Sequence, residues 1–443
     1  MISKILVVNK YHFISGGAER YFFTIMDALR EEGIEPIPFS VNYAKTLPSP
    51  YQKYFIEPVV KDGEAKMVHQ KPTLGQKIQL AKQVVYNTDA AKAVKQICEN
   101  EKPQLAYFLN FNNHISPSAI DACAQAGIPV VMRMSDFNLV CASNMYYRDG
   151  KLCMDCKKGL YHAVIHKCIH GSVAKSMVSA FALSFHRWIG VYQKVSAFIA
   201  PTEFMKRELI EVGIPAAKIY RINTFAAPQL VANPEKKNPY ILFLGRLAKY
   251  KGIDTAIEAF SRIEDQVNVS FYVMGDEGDD DAARVKSLAQ RLNCKKVVFM
   301  PFERDKKKLL EVIQKSLFVV VPSENYENLP NTVLEAFSCS RPVIATRIGS
   351  LPDIVRDHQY GLLYDFGNVS DLSLKMEYLI SHEREREHMG RNAYEVLLRE
   401  YSKKGHLKHL LEVFESLTKD PPNTDVLPMT VQDYLIAAPA ISR

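Results

Sequence analysis

The chain has 443 residues, 47% of them hydrophobic, which is enough for more than one core and makes two or three domains the size expectation. No apolar run reaches roughly 18 residues without charge, and the amino terminus lacks the basic, apolar, small-residue order of a secretory leader, so a cytoplasmic protein without a spanning helix is expected. The net charge of +7 is unevenly placed: residues 1–220 hold 26 Lys plus Arg against 18 Asp plus Glu, or +8, and the remaining 30 against 31 give −1. A basic half of this kind suits an acidic substrate, an anionic membrane surface or nucleic acid, and scattered solvated lysines account for it equally well.

In chain order, Lys4 to Val8 is a short apolar run ended by a polar loop and Gly16-Gly17. From Ala18 to about Glu32 the residues Phe22, Ile25, Met26 and Leu29 share one helical face. The pattern repeats: Leu105 to Leu109 and Pro129 to Met132 read as strands with Ala119 to Gln125 as a helix between them, and Ser196 to Ala200 precedes a helix over Glu203 to Glu211. These are βαβ units with buried parallel strands. The apolar tract Met177 to Pro201 is interrupted by His186, Arg187 and Lys194, which exclude a membrane span. Asn223 to Pro239 turns polar and proline-rich and reads as a linker. A second alternating series follows, with strands at Ile241 to Leu244, Val269 to Met274, Val297 to Met300, Phe318 to Val321 and Val343 to Thr346. Its helices fall over Asp254 to Ile263, Ala282 to Leu292 and Lys306 to Lys315, and residues 276–281 form an acidic loop.

Cys141, Cys153, Cys156 and Cys168 are spaced x11, x2, x11 around one C-x2-C knuckle. In a reducing compartment clustered thiols point to a metal more than to disulfides, and four thiolates close a tetrahedral zinc shell at about 2.3 Å with no vacant position. The expectation is therefore a structural zinc, with four free thiols as the plain alternative. His162, His166 and His170 share a helical face and are expected to be exposed, although one could replace a thiol.

Two stretches carry anion-binding chemistry. Gly245-Arg-Leu-Ala-Lys-Tyr-Lys-Gly252 follows a strand and sets Arg246 and Lys251 around one turn, a pair suited to a pyrophosphate. Pro322 to Ala336 leads from a strand into a helix, whose free amino-terminal backbone N–H groups and partial positive charge favour an anionic diphosphate lying against Asn328, Leu329, Pro330 and Asn331. Glu335 on that helix suits ribose hydroxyls. Taken alone, Glu327 and Glu335 read as solvated carboxylates. The pair Gly16-Gly17 lacks the spacing of a dinucleotide fingerprint, which argues against a nicotinamide enzyme.

Gly16-Gly17-Ala-Glu-Arg20, Gly245-Arg246, Lys251-Gly252, Glu327 and Glu335 within ENLPNTVLEA, Pro342-Val-Ile-Ala and Gly349-Ser-Leu-Pro-Asp353 together resemble a GT4-family glycosyltransferase over residues 2 to about 417. The resemblance implies an α/β GT-B fold, two Rossmann-like domains facing a central cleft. It implies residues 1–225 as the acceptor side with the Cys cluster 141–168, residues 226–395 as the donor-binding domain, 396–419 as a terminal helix returning to the first domain, and an unassigned tail 420–443. It implies retaining transfer from a UDP- or GDP-sugar to a glycan or lipid-linked saccharide of a surface polysaccharide or glycoconjugate. Arg246 and Lys251 would neutralise the leaving diphosphate without a catalytic metal, Glu327 would hold donor-sugar hydroxyls, and Gly16 and Gly17 would approach the phosphates. His114, Ser135 and Asp136 fall on the acceptor side, but a histidine frequent in relatives is here Ser135, and Ser340-Arg341, Pro301 and the turn Gly275 to Gly278 also depart from the pattern. Phe181 to Tyr192 suits either a lipid-linked acceptor with peripheral contact at the inner membrane face or a core helix. A GT-B sugar-nucleotide epimerase is the nearer alternative. A zinc-containing nucleic-acid-binding protein is the distant one; it leaves Arg246, Lys251, Glu327 and Glu335 unexplained, so no nucleic acid is expected.

Overall fold

The computed structural model describes residues 2–60, 72–229, 237–275 and 281–419. The middle of the expected linker, most of the acidic loop with its glycine turn, and the tail 420–443 lie outside the described residues. The strands in chain order are β1 (Lys4–Tyr11), β2 (Glu35–Val41), β3 (Leu105–Phe108), β4 (Val130–Arg133), β5 (Tyr147–Arg148), β6 (Lys151–Leu152), β7 (Ala197–Ala200) and β8 (Ile219–Arg221). They continue with β9 (Tyr240–Leu244), β10 (Ser270–Gly275), β11 (Val297–Pro301), β12 (Val319–Val321), β13 (Val343–Thr346) and β14 (Gly361–Tyr364). One six-stranded sheet has the order β2-β1-β3-β4-β7-β8, a second has β11-β10-β9-β12-β13-β14, and β5 with β6 forms a small hairpin.

All neighbouring pairs of the second sheet are parallel. Its order has the doubly wound pattern in which the chain starts at a central strand, winds outward to one edge, then returns to wind toward the other. Both faces are buried. Ile241, Phe243, Phe271, Val273 and Val320 pack to one face under the helices Ile253–Ser261, Ala282–Arg291 and Val369–Ser381. Leu242, Leu244, Met274, Val319 and Val321 pack to the other under Lys306–Lys315, Asn331–Ser338 and Glu383–Glu400. Alternating side chains with both faces covered is why these strands read as unbroken apolar runs.

The helices Glu203–Glu211 and Lys306–Lys315 and the strand β13 occupy the ranges expected from the sequence. Strand β2 was not legible because Pro36 and Pro38 argue against a strand, yet it forms the sheet edge, where a missing N–H removes no ladder bond. The expected terminal helix 396–419 falls on two helices, Glu383–Glu400 and Lys403–Lys419. Ser402 restarts the chain between them by accepting the Gly405 N–H on its Oγ at 3.1 Å.

The chain divides into two compact units, Met1–Met132 with Val178–Phe198 and Glu412–Arg443, and Arg133–Met177 with Ile199–Leu411. In the first, Phe414 meets the Tyr107 ring edge-on at 5.2 Å. In the second, the segment 133–177 groups with the second sheet because its side chains pack on that sheet's loops, as detailed below.

Gly252 fixes how close two of those loops approach. Its φ is +70°, and a Cβ there would stand 1.7 Å from the Pro322 carbonyl oxygen. Since neither backbone can shift cheaply, Gly252→Ala should lower the apparent unfolding midpoint by several degrees, as about 2 kcal/mol does in a domain of this size. A melting curve identical to the parent would show that the two loops do not depend on this contact.

Candidate functional site

In a doubly wound sheet, ligands bind outside the carboxyl ends of the strands where the winding reverses. In the second sheet that point lies between β9 and β12. The loop after β9 carries Arg246 and Lys251, and the loop after β12 carries Glu327 to Asn331. The backbone ties the loops together, with Glu324 N–H donating to Tyr250 O at 2.8 Å. Thr255 Oγ1 adds a bond of 2.6 Å to the Glu324 carboxylate, and burial raises the pKa of that carboxyl.

The structure brings most of the expected residues together here. Lys251 forms an ion pair with Glu327. The Glu327 carboxylate also accepts from Ser323 Oγ at 2.9 Å, and its backbone carbonyl accepts from Ser350 Oγ at 2.6 Å, so two partners hold the carboxylate and a third fixes the backbone beneath it. Arg246 is exposed, has no carboxylate partner among the described residues, and lies with its guanidinium 5.5 Å from the Tyr250 ring centroid. Glu335 pairs with Lys306, which the sequence reading used only to start a helix. Lys306 opens that helix because the Asp305 carboxylate caps it, accepting the N–H groups of Lys307 at 2.8 Å and Lys308 at 3.3 Å. The helix Asn331–Ser338 begins after Pro330 with no side chain capping it. Asn328 donates from Nδ2 to Met134 O at 2.8 Å, and its buried Oδ1 has no protein partner. Leu329 is partly buried against the neighbouring core. The arrangement therefore offers one unpaired cation, two cation–carboxylate pairs and a helix start, a set able to take an anionic group and hydroxyls.

Gly16, Gly17 and His114 lie on the first unit. There β1 and β3 are the neighbours at which the strand order reverses, and the chain leaves β1 toward Gly16-Gly17 and β3 toward His114. Gly16 is extended at φ −172°, and a Cβ on it would meet only Glu19 Oε2 at an ordinary 3.6 Å. What it leaves is a helix, Gly17–Glu31, whose start carries no side-chain cap. His114 shares a 3.2 Å hydrogen bond through Nδ1 with the Tyr43 hydroxyl, and burial, then Lys10, push its pKa down to about 4. It is a neutral imidazole at physiological pH.

Ser135 and Asp136 belong to the second unit. Ser135 Oγ accepts from Arg133 at 3.3 Å, and Asp136 turns the chain by accepting the Asn138 N–H at 3.0 Å. Beyond them the segment reaches the loops after β9 and β12 directly. The Tyr146 ring stands 5.7 Å from Tyr326, beside Glu327, and the Tyr147 ring 6.1 Å from Tyr250, beside Lys251. Sequence reading missed these contacts, although Asp149-Gly150 between Arg148 and Lys151 is a hairpin signal.

The cysteines do not arrange as the spacing suggested. Cys141 and Cys156 share a hydrogen bond, which lowers the Cys141 pKa and raises that of Cys156. Cys168 lies within electrostatic reach of Cys141 and Cys153. Cys153 instead donates to Asp155 Oδ2 at 3.5 Å. The three histidines do not share a helical face: the helix is only Tyr161–Ile165, and His170 has left-handed backbone at φ +52°. His166 turns inward, 3.8 Å from Asp155 Oδ2.

On the helix Val173–Trp188, His186 is buried and donates from Nε2 to Val85 O at 2.6 Å, whereas Phe181 is 59% and Trp188 76% exposed. The helix is amphipathic with aromatic residues outward. Among the described residues no helix is long and apolar enough to cross a membrane.

Residues 229–396 match the family model Glycosyl transferases group 1. The matched region contains both loops of the second-sheet site. An uncharacterised glycosyltransferase of Methanocaldococcus jannaschii is 31% identical over 163 residues, 37% of this chain and 43% of the relative. A lipopolysaccharide core biosynthesis glycosyltransferase of Rhizobium meliloti is 26% identical over 179 residues, 40% of this chain and 50% of the relative. The chain thus spans half or less of the length of these curated relatives. The crystal structure of Anabaena HepE in complex with UDP and glucose superposes with a TM-score of 0.64 at 17% identity, covering 94% of this chain and all of that one. At this identity the likeness is one of fold. The fold is α/β GT-B, with two Rossmann-like sheets.

Proposed function

We propose that the protein is a glycosyltransferase that moves a sugar, with retention, from a UDP- or GDP-sugar to a glycan or lipid-linked saccharide in surface polysaccharide or glycoconjugate synthesis. The observation that carries this reading is the gathering of Arg246, Lys251, Glu327, Glu335 and an uncapped helix start at the winding reversal of the second sheet. The HepE complex with UDP and glucose and the lipopolysaccharide relative support a nucleotide-sugar donor and a saccharide acceptor. In this reading residues 226–395 bind donor and 1–225 serve the acceptor, with His114, Ser135 and Asp136 on that side and 396–419 as the terminal helical segment returning to the first domain.

The bond from the anomeric carbon to the diphosphate oxygen breaks, the bond to an acceptor oxygen forms, and the acceptor hydroxyl's proton passes to the departing diphosphate, which leaves as the free nucleotide. Negative charge grows on the leaving diphosphate, where Arg246 and Lys251 stabilise it. Lys251 exchanges its Glu327 contact for phosphate, which frees Glu327 to accept donor-sugar hydroxyls. The backbone at Asn328, Leu329 and Asn331 and at Gly16 and Gly17 supplies N–H groups to phosphate, Pro330 sets the entry into the helix, and Glu335 holds the ribose. The two cations take the charge-neutralising role of a divalent ion, so transfer does not depend on added magnesium or manganese. A zinc ion on the cysteine-bearing segment serves as a structural element in the same reading.

The reading is checked by following release of free nucleotide from UDP- and GDP-sugars with and without an extract of saccharide acceptors. Release should require acceptor and be indifferent to added magnesium, and Arg246→Ala should lower kcat/KM by about 100-fold or more. Donor conversion without acceptor would instead identify an epimerase.

The exposed aromatic face of the helix Val173–Trp188 and the basic amino-terminal half support peripheral contact with an anionic membrane at its cytoplasmic face. Trp188 is the only tryptophan, so its fluorescence reports the contact without labelling. Vesicles containing acidic phospholipid should shift its emission to the blue, more weakly at high salt. An unchanged spectrum at saturating lipid would remove the membrane from the account.

A further inference from the structure

Zinc takes sulfur, nitrogen and oxygen donors at about 2.0–2.3 Å from a common centre. At tetrahedral angles those lengths set a sulfur and an oxygen about 3.6 Å apart, and a nitrogen and an oxygen about 3.4 Å apart. Cys153 Sγ lies 3.5 Å from Asp155 Oδ2, and His166 Nε2 lies 3.8 Å from the same oxygen. The three donor atoms all fall within 4.8 Å of one another, and among the described residues this is the metal-competent group of three or more such side chains. We propose that Cys153, Asp155 and His166 hold one zinc-class divalent ion, with water in the fourth position, and that Cys141 and Cys156 stand apart from it as a thiol pair.

The local fold explains why these donors meet. Cys153 leaves the β5–β6 hairpin with its N–H bonded to Tyr146 O at 2.9 Å. Asp155 opens a single turn that Lys157 locks, its Nζ lying 2.8 Å from both Glu208 and Glu211. The short helix Tyr161–Ile165 then ends where His166 N–H bonds His162 O at 2.9 Å, which brings the imidazole back over the turn. Charge also balances. Thiolate, carboxylate and neutral imidazole sum to −2, matching the ion, and binding releases the proton that Cys153 now donates to Asp155. The donor set differs from the four-thiolate shell expected from spacing in one consequential way: it leaves an exchangeable position.

The site lies one hairpin away from the loop carrying Arg246 and Lys251, because Tyr147 in β5 packs against Tyr250 and Gly150 approaches Lys249 Nζ. An ion fixing the foot of this hairpin holds the contacts at its tip. The inference deepens the zinc element of the proposed function and rests on it only for the identity of the ion; sugar transfer could fail with the metal site intact.

The test uses the full-length protein stripped of metal and reloaded with zinc or cobalt(II). Elemental analysis should find one zinc per chain, and the cobalt spectrum should have the thiolate charge-transfer intensity of one sulfur ligand. His166→Ala and Asp155→Asn should each weaken metal affinity by at least about 100-fold, more than loss of an outer partner costs, while Cys141→Ser keeps the ion. Absence of bound metal, a four-thiolate cobalt spectrum, or loss of the ion in Cys141→Ser with retention in His166→Ala would overturn the assignment. The cobalt spectrum of the unmutated protein decides between donor sets even if a variant does not fold, and nucleotide binding measured in parallel reports the donor site separately.

Discussion

The parallel pairing of β9 with β12 is the constraint from which the rest of the second sheet follows. These strands are adjacent in space but separated by two complete strand–helix excursions in sequence. Their following loops therefore diverge to opposite faces and leave backbone and side chains exposed at the strand ends. The strands cannot supply chemistry themselves, since both faces are filled by apolar side chains. Polar function is forced into the loops. Gly252 sets their separation, for only a residue without Cβ can sit against the Pro322 carbonyl. The ion pairs Lys251–Glu327 and Lys306–Glu335 then keep the carboxylates in place, each largely withdrawn from water. Such pairs contribute modestly to stability when partly solvated, but removal of one partner leaves a costly charge. Their arrangement therefore serves positioning more than folding.

Much of this architecture was legible in the sequence because alternation of buried strands with amphipathic helices is a local signal. Phe243 and Leu244 read as strand in any context, and Asp305 before three lysines reads as a helix start. The Rossmann-like order was legible only as repetition, because strand adjacency depends on long-range pairing. The candidate site was legible in its parts: Arg246 and Lys251 stood out by their place in the loop after a strand, Glu335 by its place on the helix that follows, and Glu327 through the family resemblance. Their partners were not. Lys306 is 29 positions from Glu335, and Ser350 is 23 from Glu327, and no local pattern announces either bond. Gly16 illustrates the opposite case, a motif glycine whose backbone is ordinary and whose contribution is the absence of a cap.

The cysteine-rich segment shows how spacing and geometry diverge. A C-x2-C knuckle suggests that its two sulfurs face one ion, but the turn Asp155–Lys157 rotates Cys156 toward Cys141 and leaves Cys153 beside Asp155. A three-residue change of direction alters which donors meet, and sequence spacing does not encode it. The same segment places Tyr146 and Tyr147 against Tyr326 and Tyr250, so its conformation and that of the loops after β9 and β12 are mechanically linked within one unit.

The proposed function requires the second-sheet loops to form a nucleoside diphosphate site in which Glu335 binds the ribose. Titration calorimetry of UDP, GDP and inorganic pyrophosphate against the protein and its Glu335→Ala variant tests it most directly. One nucleoside diphosphate should bind, and the variant should weaken it by about tenfold or more, as expected for loss of hydrogen bonds to a charged group, while pyrophosphate binding is unchanged. Failure of both nucleotides to bind, or equal binding to the variant, would contradict the account.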